Sequence, residues 1–483
     1  MKQLMKTERK TSPFLPALRT WISSQNFLDV MFYILVLAAI LCFTLIHPEN
    51  APPDETNHYL VAKYIFNHGT IPIGSDPEIA IYGYGASYAY QPILSYIFMG
   101  FFMRFVGLFT ENQYFLLIAA RLINVTFGVL MAYYVRRISK ELFASRLTQW
   151  FFTLMIVFLP QNLFLHSYVN TDSMAALGCA MIFYGIIRGM KDSWRVKTSI
   201  QLSIGIIFCA MSYYNSYSII LSAIVLFFFS FFIKEDGVIL FDTKRFFKKG
   251  LFISVIVLAG IGWWFIRNYF LYDGDFIGLA ARKLNAIATS TDDFNPLSKP
   301  TFQNTGKSLL YMFKETEFVS LLSNSFIGYF GIMNIMTEQF IYYGTKIICL
   351  IGALFFFMPL KDKTLLINLG KKRAILFHLM MMLHIAVVIA LCIFYSYAWD
   401  YQPQGRYILP ILVPMMYFVV TGYTKLFHLL KTKLSFGSRI SVAIQIICII
   451  FFIVSVYISI FTRFIPYYEE TGTLLDLIKI SLT

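Results

Sequence analysis

Two adjacent carboxylates and a histidine follow two prolines shortly after the first long apolar segment of the chain. The stretch reads "P-P-D-E-T-N-H" and contains Asp54, Glu55 and His58. Pro53 suits the first turn of a helix, and the dipole at that end favours ionised carboxylates. Asp54 and His58 are four residues apart, so they share a helix face. The stretch predicts either a charged, capped helix on a membrane surface or a carboxylate base held at a membrane boundary.

Further candidate residues lie at or near the ends of other apolar segments. Asp172 opens one of them in "N-T-D", where it is either a site residue or an ordinary first-turn carboxylate. Arg267 lies near the end of another and could instead snorkel to lipid headgroups. Gln404 and Arg406 lie in "Q-P-Q-G-R-Y-I-L-P", and a guanidinium there can bind a phosphate bidentately. Lys346, about two turns into its segment, could pair with a lipid phosphate.

Metal and cofactor chemistry has weak support in these residues. His58, Asp54 and Asp172 could together bind a divalent ion, but three scattered ligands do not define a metal site. The chain contains no zinc signature, phosphate-binding glycine loop or serine-hydrolase elbow. We assign no metal ligand and no certain cofactor, and a divalent metal stays an open alternative.

The composition indicates the elements that must position these residues. Of 483 residues, 58% are hydrophobic and only 14% are charged, whereas soluble domains carry roughly 25% charged residues. Many apolar stretches approach the roughly 20 residues that cross a bilayer as a helix. The six cysteines all lie in apolar stretches, so no disulfide framework is predicted. We predict an all-α, polytopic membrane protein.

The apolar pattern predicts about eleven transmembrane helices. They cover 30–46, 114–135, 149–166, 171–188, 199–214, 216–233, 250–269, 339–360, 374–396, 407–424 and 440–462. The predicted organisation is a cytoplasmic arm (1–29), an N-terminal transmembrane module (30–269) containing a first external loop (47–113), a second external loop (270–338), a C-terminal transmembrane module (339–462) and an external tail (463–483).

The positive charges decide the predicted orientation, because basic residues mark cytoplasmic loops. After the arm they recur in five clusters, at 136–146, 188–197, 234–249, 361–373 and 425–439. All five lie inside only if the apolar stretch 91–109 does not cross the membrane, so we predict that it lies at the outer surface. The net charge of +14 is therefore explained by the basic residues of the cytoplasmic loops. It does not indicate nucleic-acid binding.

Taken together, the motifs resemble those of the glycosyltransferase C superfamily, and most of all a bacterial group of multi-spanning membrane proteins. The ordered set runs from about residue 50 to 415. It comprises "P-P-D-E-T-N-H", "A-A-R-L-I-N-V-T-F-G", "N-T-D", "W-W-F-I-R-N-Y", "S-N-S-F-I-G-Y-F-G" and "Q-G-R-Y-I-L-P".

The resemblance implies transfer of a sugar from a polyprenyl-phosphate donor to a glycan or lipid acceptor on the outer face, usually with inversion. It implies that Asp54 is the catalytic carboxylate, with Glu55 beside it, and that Asp172 matches a second acidic position. Arg267 and Arg406 match basic positions near the donor phosphate. His58, Lys346 and Gln404 complete the predicted substrate-binding set.

Two other classes of protein remain as alternatives. A transporter or flippase of lipid-linked sugars would be expected to place paired charges near the membrane midplane and to show an inverted repeat. Here the acidic residues cluster towards one surface and no such repeat is evident. A non-catalytic assembly protein or receptor would leave the convergence of Asp54, Asp172 and Arg406 unexplained.

Overall fold

The computed structural model of the protein describes residues 25–235, 238–361 and 364–472. Most of the predicted cytoplasmic arm (1–29) and part of the predicted external tail (463–483) lie outside the described residues.

The described chain is mostly helical, with only two short strand pairs. Its α-helices, in chain order, are α1 (Gln25–Ile46), α2 (Glu55–His68), α3 (Leu94–Val106), α4 (Gln113–Leu142), α5 (Arg146–Val157), α6 (Pro160–Leu165), α7 (Asp172–Asp192), α8 (Val196–Ala210), α9 (Tyr217–Phe229), α10 (Thr243–Leu271), α11 (Leu279–Thr289), α12 (Leu309–Glu315), α13 (Phe318–Gly328), α14 (Gln339–Phe357), α15 (Lys371–Ala398), α16 (Leu412–Lys433), α17 (Gly437–Ile458) and α18 (Ile465–Glu470).

Strands, 3₁₀ turns and a π-helix at Ser459–Phe464 supply the remaining regular structure. Two antiparallel pairs join β1 (Phe232–Glu235) to β2 (Val238–Phe241) and β3 (Tyr329–Phe330) to β4 (Ile335–Met336). Two 3₁₀ turns, Tyr88–Tyr90 and Gly405–Ile411, contribute to the site described below.

Within the described residues, eight helical segments are long and apolar enough to cross a membrane. They are Phe27–Ile46, Gln113–Leu142, Asp172–Asp192, Thr243–Leu271, Gln339–Phe357, Lys371–Ala398, Gly405–Lys433 and Gly437–Glu470. These helices confirm the predicted all-α polytopic membrane protein.

The other three predicted spans are shorter helices. The segment 149–166 is divided into α5 and α6, because Pro160 has no N–H with which to continue the first helix. The segments 199–214 and 216–233 become α8, with 15 residues, and α9, with 13 residues. The predicted number of eleven spans is therefore not established by helix length.

Helix α7 lies at the centre of the bundle. It is buried along almost its whole length and packs against α4, α8 and α9. Its 21 residues measure about 32 Å, close to the roughly 30 Å of a bilayer core. Asp172 and Asp192 lie at its two ends, so polar sites at these ends are separated by about the thickness of a membrane.

The two long loops meet above the Asp172 end of α7. The first contains α2 and α3, which pack together, and the second contains α11, α12 and α13. Thr291 N–H donates to the Gly83 carbonyl at 2.9 Å, and the Asn285 amide donates to the Gly85 carbonyl at 2.8 Å. The stretch 91–109 forms α3, whose 13 residues span only about 20 Å.

Candidate active site

Asp54 occupies a special backbone position at the start of the first loop helix. Helix α2 begins at Glu55, so Pro53 precedes the helix instead of entering its first turn. Asp54 is the N-cap residue with φ of 61°, a left-handed conformation that Asp tolerates better than most residues. Its side chain accepts no capping hydrogen bond from the helix. The carboxylate instead forms an ion pair with Arg406.

Arg406 comes from the 3₁₀ turn that precedes α16, 352 residues further along the chain. Its guanidinium donates to the Pro53 carbonyl at 3.1 Å, to the Asp54 carboxylate and to the Tyr407 hydroxyl at 3.1 Å. Gly405 permits this placement, because a Cβ there would lie 2.0 Å from the backbone nitrogen of Phe326 in α13. The glycine beside the arginine therefore allows close contact between two segments.

Arg406 lines a cavity of about 270 Å³ beneath the two long loops. Asp172, the first residue of α7, and His58 of α2 line the same cavity. The His58 imidazole stacks on the Tyr88 ring at a centroid distance of 4.0 Å and hydrogen bonds to the Tyr96 hydroxyl. Four of the predicted site residues are thus brought together: Asp54, His58, Asp172 and Arg406.

Arg282 is the main cavity residue that the sequence analysis missed. It lies on α11, in the second long loop, and faces the same cavity as Arg406. Within the described chain its side chain makes no hydrogen bond or ion pair. A basic residue in a loop predicted to be external departs from the charge rule used for the topology, but the same loop also contains Lys283, Lys299, Lys307 and Lys314, so this pattern does not single out Arg282.

Tyrosines form much of the remaining wall. They are Tyr88, Tyr213, Tyr214, Tyr395 and Tyr407. They come from four separate segments, so sequence spacing could not associate them. Their rings and hydroxyls suit the apolar faces and polar edges of a sugar.

Electrostatics favour an ionised Asp54 and a neutral His58 at neutral pH. Burial disfavours the Asp54 carboxylate, but the Arg406 guanidinium and the nearby His58 together more than offset it, so the pKa of Asp54 is lowered from its ordinary 3.8. Burial lowers the pKa of His58 to about 3, although Asp54 opposes this change. The His58 imidazole on the cavity wall is therefore uncharged, and Asp54, which is paired with the cavity residue Arg406, is an available carboxylate base beside the cavity.

Glu55 points away from this cavity, into a separate ion pair. Its carboxylate accepts from Arg121 Nε at 2.8 Å and Nη2 at 2.6 Å, and from the Val169 backbone N–H at 2.8 Å. Both side chains of the Glu55–Arg121 pair are completely buried. Glu55 therefore fastens the start of α2 to the transmembrane bundle, which fits a role in orienting the loop.

Three further predicted residues contact other parts of the chain. Arg267 donates to the Pro72 carbonyl at 2.7 Å and so ties the end of α10 to the first loop. Lys346 donates to the Asn324 side chain at 2.6 Å, and the Gln404 amide donates to Gln402. None of the three lines the cavity. Their predicted donor contacts have no support from this arrangement.

The metal alternative is likewise unsupported by the geometry. Across the described ranges, no group of three or more His, Cys, Asp and Glu side chains is arranged to hold a metal ion. Asp54 engages Arg406, and His58 engages Tyr96. We therefore derive no step through a metal.

Comparison with protein-family models identifies the family of this chain. The model described as "Predicted membrane protein (DUF2142)" matches residues 50–415, about three quarters of the sequence. The chain belongs to this family. The match covers the same residues as the ordered motif set of the sequence analysis. A search of curated proteins by sequence found no match to this DUF2142 member.

Solved structures show the fold. The oligosaccharyltransferase of Archaeoglobus fulgidus, tethered with an acceptor peptide, is similar with 12% identity and a TM-score of 0.51. The same enzyme in complex with zinc and sulfate gives 14% identity and a TM-score of 0.51. The alignments cover 91% and 88% of this DUF2142 chain but only 55% and 52% of the other chains. These likenesses confirm the predicted glycosyltransferase C-like fold.

A further similar structure is ArnT of Cupriavidus metallidurans bound to undecaprenyl phosphate. It has 12% identity and a TM-score of 0.48, and the alignment covers 83% of this chain and 60% of ArnT.

Proposed function

We propose that the protein is an integral-membrane glycosyltransferase. It moves a sugar from a polyprenyl-phosphate donor to a glycan or lipid acceptor of the cell envelope, on the outer face of the membrane. The observation that carries this proposal is the Asp54–Arg406 pair beside a polar cavity beneath two long loops. The pair joins a carboxylate base to a phosphate-binding cation.

The donor phosphate binds to Arg406 and Arg282. Both guanidinium groups line the cavity, and Arg282 has no ion-pair partner within the described residues. Guanidinium groups bind phosphate oxygens bidentately. Arg406 lies at the start of the segment Gly405–Lys433, and Arg282 lines the same cavity from the second loop, so both are close to the predicted outer surface, where the phosphate of a membrane-embedded lipid would be located. The two arginines stabilise the negative charge that develops on the leaving phosphate.

Asp54 removes the proton from the acceptor hydroxyl. The acceptor oxygen forms a bond to the anomeric carbon as the bond from that carbon to the phosphate oxygen breaks. The proton goes to Asp54, and the electron pair leaves with the polyprenyl phosphate. A single displacement of this kind inverts the anomeric centre. A phosphate bound to Arg406 also competes with Asp54 for the guanidinium and so releases the carboxylate to act as a base.

Asp172 and the tyrosines position the sugar. A carboxylate accepts hydrogen bonds from sugar hydroxyls, and Asp172 lies on the cavity wall shared with His58 and Arg406. Glu55 acts indirectly, because its pairing with Arg121 fixes the backbone that presents Asp54.

A direct test uses purified protein in vesicles that contain a panel of undecaprenyl-phosphate sugars, together with cell-envelope glycans and lipids. The expected result is release of undecaprenyl phosphate and appearance of sugar on an acceptor, both lost in Asp54→Asn. The alternative of a transporter or flippase predicts movement of intact donor between leaflets without loss of the sugar. That outcome would contradict the proposal.

A further inference from the structure

A second polar cleft lies at the opposite end of α7 from the candidate active site. It occupies about 440 Å³ between α4, α7 and α8. Arg137 comes from α4, Arg188 and Asp192 come from α7, and Arg195 and Lys197 come from the start of α8. Along α7 the residues of this cleft, from Tyr184 to Asp192, lie about 18 to 30 Å from Asp172.

The cleft has an excess of positive charge. Arg188 is paired, with Glu141 at 3.0 Å and with Asp192 at 3.5 Å. Arg195 and Lys197 are exposed, and their side chains make no ion pair with any described residue. Arg137 is held in position by aromatic residues, because it donates to the Tyr133 hydroxyl at 2.7 Å and lies 5.0 Å from the centroid of the Tyr184 ring. Three cations are therefore available to an anion.

The cleft becomes apolar with distance from that end of α7. Ile200 and Ile204 follow Lys197 along α8 and line the same cleft, and their side chains are 39% and 37% exposed. Lys197 and Ile204 are seven residues apart, so the cationic and apolar parts lie about 10 Å from each other along the helix. Tyr134 adds an aromatic wall beside the two isoleucines.

We propose that this cleft binds an anionic phospholipid of the leaflet opposite to the candidate active site. Arg137, Arg195 and Lys197 contact the headgroup phosphate, and an acyl chain lies along Ile200 and Ile204. A soluble anion would use only the cationic part. A lipid uses both parts, since its charge and its hydrocarbon are arranged in the same order as these residues. This site does not depend on the proposed transfer reaction.

The test measures lipid binding by the full-length protein in detergent with native mass spectrometry. The probes are dioleoyl-phosphatidylglycerol and, as the uncharged comparison, dioleoyl-phosphatidylcholine. The variant R195Q/K197Q removes two charges from the cleft. Its matched control, K244Q/K248Q, removes two exposed charges from α10, outside the cleft. Near a membrane surface, one basic residue contributes a factor of about 5 in affinity, so the cleft variant is expected to lose about 25-fold.

The proposal requires tighter binding of phosphatidylglycerol than of phosphatidylcholine, with the large loss confined to R195Q/K197Q. Equal losses in the two double variants would overturn it, because the attraction would then be a general effect of surface charge. Displacement of the lipid by millimolar inorganic phosphate would also overturn it, since a free anion would then be the ligand. Unchanged lipid binding in Asp54→Asn is expected, and it separates this site from the transfer reaction.

Discussion

Asp54 and Glu55 are neighbours in the chain, and each pairs with an arginine far away in the sequence, yet their surroundings differ sharply. The Glu55–Arg121 pair is completely buried, with 0% exposure of both side chains. In the Asp54–Arg406 pair the Asp54 side chain is 36% exposed, and Arg406 lines the cavity. One carboxylate is enclosed in the protein, and the other is accessible.

The partners of the two arginines extend this contrast. Arg121 also donates to the carbonyls of Thr44, His47 and Pro48, so its guanidinium is extensively bound by protein atoms. Arg406 retains a buried Nε without a hydrogen-bond partner among the described residues. A satisfied, enclosed pair suits a structural connection, whereas an incompletely satisfied pair beside a cavity can exchange its partner for a ligand. Adjacent acidic residues thus acquire different roles from their surroundings.

The largest expected effect is on the reaction itself, in Asp54→Asn. We expect transfer to fall by roughly 10²–10⁴-fold, because the amide cannot accept the acceptor proton. The protein should still fold, since Asn also tolerates the left-handed conformation, but it loses the stability contributed by the Asp54–Arg406 ion pair. The measurement is the rate of undecaprenyl phosphate release per folded protein. Asp76→Asn, in the same loop, is the matched control, because the Asp76 carboxylate accepts from the Glu78 backbone N–H and forms no pair with Arg406. Full activity in Asp54→Asn would remove Asp54 from catalysis.

The second effect is on stability, in Glu55→Gln. Removing one partner of a buried ion pair lowers the free energy of unfolding by roughly 3–5 kcal/mol, because the remaining charge is left buried and unpaired. We expect a marked fall in the thermal unfolding midpoint in detergent, with transfer largely retained by the protein that stays folded. The double variant Glu55→Gln, Arg121→Gln should lose less than the sum of the single losses. A stable but inactive Glu55→Gln would instead make Glu55 a catalytic residue.

The third effect is on donor affinity, in Arg406→Ala. Loss of a hydrogen bond to a charged group costs roughly 1.5–3 kcal/mol, so affinity for undecaprenyl phosphate should fall about ten- to hundred-fold. Arg406→Lys should restore only part of it, since lysine lacks the planar fork. Arg267→Gln is the matched control, because the Arg267 guanidinium binds the Pro72 carbonyl and, unlike Arg406, does not line the cavity. Equal losses in the two variants would contradict a direct contact by Arg406.

The smallest effect is a change in pH dependence. The pKa of Asp54 lies below 3.8 in the folded protein. We therefore expect kcat/KM to decrease on acidification (the acid limb of its pH profile) only below that pH, where Asp54 becomes protonated. The stability contributed by the Asp54–Arg406 pair is likewise present above the unfolded pKa and lost as pH falls through the lower folded value. In Arg406→Ala, burial acts unopposed by the guanidinium, and the acid limb should move to higher pH. An unchanged limb in that variant would show that Arg406 does not set the ionisation of Asp54.

The sequence alone was sufficient for the class of protein, and it pointed to the segments that form the candidate site. Low charge content and repeated apolar segments determined a polytopic helical membrane protein, because a bilayer core leaves few other solutions for the backbone. The basic clusters predicted which loops share a side, and this orientation stays a prediction. The segments around Asp54, His58, Asp172 and Arg406 were chosen because they place carboxylates, a histidine and a guanidinium at the predicted outer ends of apolar segments, where a base and a phosphate-binding cation could act together.

Only the tertiary structure decided which of these residues meet. Asp54 and Glu55 have nearly the same local sequence, and their directions diverge because packing places Arg406 near one and Arg121 near the other. Arg282 joins the cavity because the second long loop folds over the first, a contact between residues about 200 positions apart. Local spacing specifies helix faces and helix ends. The pairing of distant charges depends on the packing of the whole bundle, which no short stretch of sequence contains.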